Sequence, residues 1–434
     1  MSVKPTTSTL MQRYWSLLLI LCLIQFSGFW IYPPSTSVLF DNLAGEKYLG
    51  VPFQRAVWAL VMLSFVMHVM RRGFGPIMSA LKVFIPFWLL GLISGVFGYN
   101  PIGSTWMVIL WTIGVVGPAI LGLELRSERA DKLIYLCLVL FMVASVVLAL
   151  AVPSLGQQVY GFTMVWRGGF SSKNTLGWVA ALTLATSVAM MQRHAWRWPA
   201  AAIVLSLLCL VGSGSKGALV AALATLAYLY LINKLAQRVT PGLGVFLVLF
   251  FAVTAAVSAL LVAPLILEAL GRDATLTGRT DVWSSYFYAM VRTPWLGDGP
   301  GAYTGLSPLT MPLANKLSYL GTIVTPHNVY LGVFGDTGLF GLLAYLGAML
   351  YLSLVRPLSQ PSRYAKMTAA VGFLVLAHGL VETHEVFAQG LAWVLLFFGH
   401  AADQQQRRVG AAPAITAATA PTRAGLRTPM VASR

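Results

Sequence analysis

Four cations stand in glycine-bearing stretches of a chain otherwise poor in charge. They are Arg167 and Lys173 in "VWRGGFSSKN", Lys216 in "GSGSKGAL" and Arg279 in "TGRTDVW". Arginine presents a planar fork of donors that suits phosphate oxygens, and lysine presents a point charge. Neighbouring glycines let an anion approach the backbone closely. A second polar feature is His327-Asn328, which follows Pro326 and stands just before the apolar run from Val329. An imidazole, with an ordinary pKa near ~6.5, suits proton transfer at neutral pH. Asn328 either caps the following helix or binds a hydroxyl-bearing ligand. Each residue also has a plainer reading. A lone arginine at a membrane edge is a snorkelling anchor, a lone histidine at a helix entrance is a structural hydrogen-bonding group, and Lys216 pairs with an acid. It is the joint pattern that points to an anionic ligand.

The elements that must position these residues are membrane helices. The chain has 434 residues, of which 58% are hydrophobic and 10% charged, with a mean hydropathy of +0.76. A soluble protein carries about 25% charged residues. The class is therefore an all-α, polytopic integral membrane protein. Its apolar runs are continuous rather than alternating, which excludes a β-barrel. Hydropathy predicts about twelve transmembrane helices, near 14–32, 52–70, 80–98, 105–123, 133–153, 175–191, 199–212, 217–232, 243–267, 329–355, 367–383 and 388–400. The first is expected to be retained rather than cleaved as a signal peptide.

With the N-terminus inside, the inner segments hold 20 of the 29 Lys and Arg residues, a bias that predicts both termini inside. Arg167, Lys173, Lys216 and Arg279 then fall on the outer side, where topology disfavours positive charge. Helices entered by "SSKNTLG" and "GSGSKGAL" begin on that side, and their N-termini add partial positive charge. The net charge of +16 follows from topology and implies no nucleic-acid partner. Cys22, Cys137 and Cys209 lie inside apolar runs and read as buried core residues, with neither disulfide nor metal spacing.

Residues 1–400 read as one membrane domain, with larger outer loops at about 153–174 and 268–328. Residues 401–434, rich in Ala, Thr, Pro and Arg, read as a disordered inner tail whose arginines meet anionic lipid headgroups. The second loop carries a short amphipathic helix over about 281–292, with Trp283, Phe287 and Met290 on one face and Thr280 or Asp281 as its cap. Asp336 lies inside an apolar run, where an acid is functional or partnered. Glu382, His384 and Glu385 in "VETHEVF" stand at another expected outer edge. Their spacing is not that of a metal-binding helix, so no metal is assigned.

Taken in order, "RGGFSSKNTLG", "TGRTDVW" with "PWLGDGPGAY", and "PHNVYLGVFGDTGLFGLL" resemble the O-antigen ligase and polymerase superfamily. The first stretch is most similar to its exopolysaccharide-polymerase branch. The resemblance covers roughly residues 160–350. It implies a membrane glycosyltransferase in the bacterial inner membrane, active on the periplasmic face, inverting and without a metal or other cofactor. The implied donor is a glycan on undecaprenyl diphosphate. The implied acceptor is another lipid-linked repeat unit for a polymerase, or a lipid A-core sugar for a ligase. By the same resemblance Arg167 and Arg279 hold the diphosphate and His327 assists the acceptor, with Lys173 added by the branch motif. Lys216 joins the diphosphate set on the charge argument, and Asn174, Asn328 and Tyr330 are candidate sugar contacts. A chain-length regulator and a flippase of the same pathway are implied partners. A flippase or a structural scaffold remain the readings of another class. The first needs polar groups at mid-membrane, for which Asp336, His378 and His68 are the candidates.

Overall fold

The computed structural model describes residues 9–29, 50–160, 162–192, 197–251, 253–254, 279–303, 307–318, 325–382, 386–387 and 390–411. His384, Glu385 and the chain beyond 411 lie outside them. The order is α1 (Thr9–Ser27), α2 (Gly50–Arg72), α3 (Gly75–Phe97, with a 3-10 turn at Lys82–Phe84), α4 (Pro101–Glu124) and α5 (Ser127–Ala151). A hairpin follows, β1 (Gln157–Tyr160) antiparallel to β2 (Thr163–Trp166). Then come α6 (Lys173–Met190), α7 (Arg197–Ser213), α8 (Lys216–Arg238) and α9 (Pro241–Phe251). The rest are α10 (Arg279–Met290), α11 (Met311–Lys316), α12 (Val329–Ser359), α13 (Arg363–His378) and α14 (Leu391–Ala411).

Among the described residues, seven helices are long and apolar enough to cross a membrane: α1 to α5, α8 and α12. The chain is an all-α, multi-pass membrane protein. The expected twelve spans are not reached by this measure. Helices α6, α7, α13 and α14 occupy expected spans but are shorter or more polar. Hydropathy alone does not separate a lipid-facing span from an apolar helix packed among its neighbours. Helix α14 also runs on to Ala411, past the expected start of a disordered tail. Asp403 anchors this extension through Arg356 (2.7 Å), Arg407 (3.0 Å) and the Ser362 hydroxyl.

Local chemistry sets the helix starts. Asn100 caps α4, Ser172 caps α6, Asn328 caps α12 and Ser362 caps α13, each accepting from a backbone N–H three residues on. One large core joins α1 to α8 with α12 to α14, and Phe84, Phe87, Trp111, Phe387, Trp393 and Phe397 form its aromatic centre. Cys22, Cys137 and Cys209 are buried and free.

A smaller core packs Val282, Tyr286 and Met290 of α10 against Ala302, Tyr303 and Leu317. Of the expected apolar face of α10, Met290 joins this core and Trp283 packs at its edge. Phe287 is 51% exposed, and Val282 and Tyr286 take the buried positions. Thr280 and Asp281 fall inside the first turn rather than at the cap.

Helix α12 breaks at Gly338 (φ 63°, ψ −167°). A break in an apolar helix frees backbone groups that lipid cannot satisfy. Here the glycine-rich segment 293–303 plugs it. Asp298 N–H donates to the Gly335 carbonyl (2.8 Å) and Gly299 N–H to the Asp336 carbonyl (3.0 Å). In return Leu339 N–H donates to the Pro294 carbonyl (2.8 Å). The Asp336 carboxylate accepts from Gly301 N–H (3.1 Å), which gives this mid-helix acid a partner. Gly297, Gly299 and Gly301 all have positive φ, which lets the segment lie so close. A Cβ on Gly338 would strike the Trp295 backbone.

Candidate active site

At one end of the bundle the N-termini of α6, α8 and α12 meet the loop that leaves α13. Ser215, which precedes α8, donates to Asn174 Oδ1 in the first turn of α6 (3.4 Å). Val329 N–H, opening α12, donates to the Gly379 carbonyl (2.8 Å). A Cβ on Gly217 would touch Val381 at 3.1 Å, so α8 starts directly over the same loop. Several helix N-termini thus offer partial positive charge to one place.

Glu382 is the hub of this place. Its Oε1 takes Arg279 Nη2 at 3.3 Å and Asn174 Nδ2 at 3.4 Å, and its Oε2 faces His327 Nδ1 at 3.4 Å. Burial pushes the Glu382 carboxyl up, but the His327 hydrogen bond and the charges of His327 and Arg279 outweigh it. The net shift is downward. The carboxylate is therefore ionised at neutral pH and accepts only. His327 Nδ1 must then carry the proton, which leaves Nε2 as the open acceptor. Arg279 is further held by the Val381 carbonyl. These two bonds use one N–H on each terminal nitrogen and leave the other donors of the fork uncommitted by them.

His327 is the one non-glycine residue with positive φ (46°) among the described residues. Histidine tolerates this region better than most side chains, and held backbone strain clusters at functional sites. The side chain is 35% exposed. Lys173 Nζ lies 3.3 Å from the centroid of the Tyr160 ring. Burial lowers its pKa, Glu382 raises it and nearby Lys216 lowers it again, for a net downward shift. Lys216 itself is exposed.

The structure thus brings together Lys173, Asn174, Lys216, Arg279 and His327, residues that are far apart in sequence. Arg167 stands apart from these contacts. It lies at the base of the hairpin, its Nε donating to the Leu155 carbonyl (2.8 Å). Asn328 serves as a cap, accepting from Leu331 N–H (3.0 Å) and donating to the Leu380 carbonyl (3.2 Å). The Tyr330 hydroxyl donates inward to the Leu376 carbonyl (2.6 Å). Sequence reasoning placed Glu382 at an outer edge and left it without a role. A signal existed, since it is an acid at a helix end on the side where unexplained cations gather. Among the described residues no three His, Cys, Asp or Glu side chains are grouped to hold a metal.

A family model described as O-antigen ligase matches residues 201–346, a stretch that contains Lys216, Arg279 and His327. The exopolysaccharide production protein ExoQ of Rhizobium meliloti (strain 1021) is 29% identical over 257 residues. The alignment covers 54% of this chain and 58% of ExoQ, so the chain spans less than two thirds of that relative. Both matches point to the O-antigen ligase and polymerase family, each over part of the chain.

Proposed function

We propose that the chain transfers a glycan from a polyprenyl diphosphate carrier, undecaprenyl diphosphate, to an acceptor hydroxyl, and that it polymerises repeat units. The observation that carries this is the Glu382 hub, which holds Arg279 and His327 on one carboxylate beside Lys173 and Lys216. In this reading the acceptor O–H gives its proton to His327 Nε2 as its oxygen forms a bond to the anomeric carbon. The bond from that carbon to the diphosphate oxygen breaks, and polyprenyl diphosphate leaves with the electron pair. Attack from the opposite face inverts the configuration. Negative charge grows on the leaving diphosphate, and preorganised cations and helix N-termini stabilise it. Glu382 is a positioning residue, fixing the tautomer of His327 and the direction of Arg279. Arg167 is assigned to the diphosphate only if the bound carrier reaches the hairpin base.

The site belongs, in this reading, on the periplasmic face of the bacterial inner membrane, with both termini cytoplasmic. Resemblance in "RGGFSSKN" and the similarity to ExoQ favour a repeat-unit acceptor over lipid A-core. A flippase is the weaker reading. Of its mid-membrane candidates, His68 is bound to Glu124 (2.8 Å) at the opposite end, and Asp336 accepts from Gly301. His378 stacks on Trp178 (4.8 Å) beneath the site.

The test is purified protein in liposomes with lipid-linked repeat unit and no other protein. A ladder of products means polymerase. Product only after lipid A-core is added means ligase. Movement of the lipid between leaflets without product overturns glycosyl transfer.

A further inference from the structure

Helix α10 carries Arg279, Trp283 and Phe287 at successive i, i+4 positions. They form one ridge that starts at the Glu382 hub and runs along the helix. Beside this ridge lies an open groove of about 440 Å³, bounded on its other side by the first turn of α12. Its lining is Trp283, Ser284, Phe287, Asn328, Tyr330 and Leu331. The volume falls within the roughly 300–1,000 Å³ usual for small-ligand sites. We propose that this groove is a carbohydrate subsite that seats the acceptor sugar. The proposal rests on His327 as the base.

Three observations favour a sugar. First, aromatic rings mix with hydroxyl and amide groups along the groove. A pyranose has the matching character, with an apolar C–H face to lie on a ring and hydroxyls at its edge. Second, the wall is rigid. The Tyr330 hydroxyl is bonded to the Leu376 carbonyl, and Asn328 is bonded at both ends of its amide. A preformed wall loses little entropy on binding. The Trp283 indole N–H, which can only donate, has no acceptor among the described residues. That N–H is itself buried, so what the groove is offered is the ring rather than its donor. Third, the position is right for transfer. Trp283 stands one helical turn, about 5.4 Å of rise, from Arg279. Asn328 is the residue after His327. The groove therefore adjoins the Glu382 hub, where Arg279 and His327 meet on one carboxylate. A prenyl chain also has affinity for aromatic rings. However, Phe287 stacks on Phe334 at 6.0 Å at the far end of the ridge, and the groove is short where a polyprenyl tail needs length.

The test uses full-length protein in nanodiscs. Acceptor dependence is measured with lipid-linked repeat unit from the host. Binding without chemistry is read by saturation-transfer NMR, with oligosaccharides released from the host's own surface polysaccharides as the probe. Trp283→Ala should raise the acceptor KM by about tenfold or more, the scale of one lost pocket contact, and leave the donor KM unchanged. It should also abolish saturation transfer to the probe. Trp283→Phe keeps a ring and should restore most of both. Should Trp283→Ala not fold, the half-exposed Phe287→Ala is read in its place. An unchanged acceptor KM overturns the subsite. A donor KM that rises instead identifies a prenyl-tail site and also overturns it. Saturation transfer that depends on Trp283 in a protein showing no transfer activity keeps the subsite and sinks the transferase reading, so the two failures are distinguishable.

Discussion

The two ends of the helix bundle use the same charged side chains for opposite ends. Where α2 and α4 finish, Glu124 is fully buried and takes His68 (2.8 Å) and Arg72 (2.9 Å), while Gln12 of α1 donates to its backbone carbonyl. Nearby, Asp131 takes Arg363 (2.7 Å) and the Tyr364 hydroxyl (2.8 Å), and Asp403 takes Arg356 and Arg407. Each of these acids is matched and ties together helices distant in sequence. At the other end a single carboxylate, Glu382, faces Arg279 and His327, with Lys173 and Lys216 close by. Neither lysine has a salt bridge among the described residues. Matched charge fastens helices. In the proposed reading, the positive charge that gathers at converging helix N-termini is matched by the anionic donor. Mutations should therefore separate, with those at the first end costing stability and those at the second costing turnover.

The largest effect is expected at His327. Removing a general base costs roughly 10²–10⁴ in rate, and His327→Ala should show this with donor binding retained, because the lost interaction belongs to the transition state. Full turnover of folded His327→Ala protein makes the residue a structural turn and opens the search for a base to Asp281, Asp298, Glu382 and His384. Next comes Arg279→Lys. The charge stays but the fork goes, so one set of oriented donors is lost and turnover should fall by about 10²–10³. Wild-type turnover there would remove Arg279 from the diphosphate and leave it as a tether for Glu382.

The opposite end supplies the control. Asp403→Ala strands Arg356 and should cost about 3–5 kcal/mol, read as a lower melting temperature, with normal specific activity in what remains folded. Glu382→Gln should do the reverse, lowering turnover with a small change in melting temperature. Its pH behaviour follows from the depressed pKa. A carboxylate whose folded pKa lies below its unfolded value contributes stability above the ordinary carboxylate range. That contribution is lost as pH falls through the folded value. The stability advantage of wild type over Glu382→Gln should thus hold at neutral pH and be lost only in acid, and an advantage that persists undiminished in acid contradicts the hub.

Much of this contrast was written in local sequence and some was not. The helix starts at Lys173, Lys216 and Val329 could be read because Ser172, Ser215 and Asn328 precede apolar runs. Surplus charge on one side could be read because lysine and arginine report topology. The hub could not, since Arg279 and Glu382 are 103 residues apart and only packing decides that they meet. Which side of α10 packs inward was not legible for a related reason. A 3.6-residue period fits Trp283 with Phe287 as well as Val282 with Tyr286, and the contact with Tyr303 chooses between them. Of the twelve expected spans seven are matched by long apolar helices among the described residues, most of 243–267 lies outside those residues, and hydropathy does not say whether a shorter apolar helix faces lipid or its neighbours.

The smallest effect is expected at the acid between the two ends. Asp336 is buried in the middle of an apolar helix, where a carboxylate reads as a relay or a gate. The hydrogen bonds suggest a plainer task. Its Oδ1 accepts from Gly301, its carbonyl takes Gly299 N–H and the Ser94 hydroxyl (2.5 Å), and the broken turn at Gly338 is closed by 293–303. That segment follows α10 directly, so the plug sets where Arg279 stands relative to His327. For this task an acceptor oxygen is needed and a charge is not. Asp336→Asn keeps the oxygen and should leave turnover within about threefold, less than 1 kcal/mol. Asp336→Ala removes the acceptor and should cost about 1–3 kcal/mol of stability. Both are read as melting temperature beside specific activity in nanodiscs. If Asp336→Asn is inactive on folded protein, the charge itself matters. Asp336 would then join Glu382 among the charges on which turnover depends.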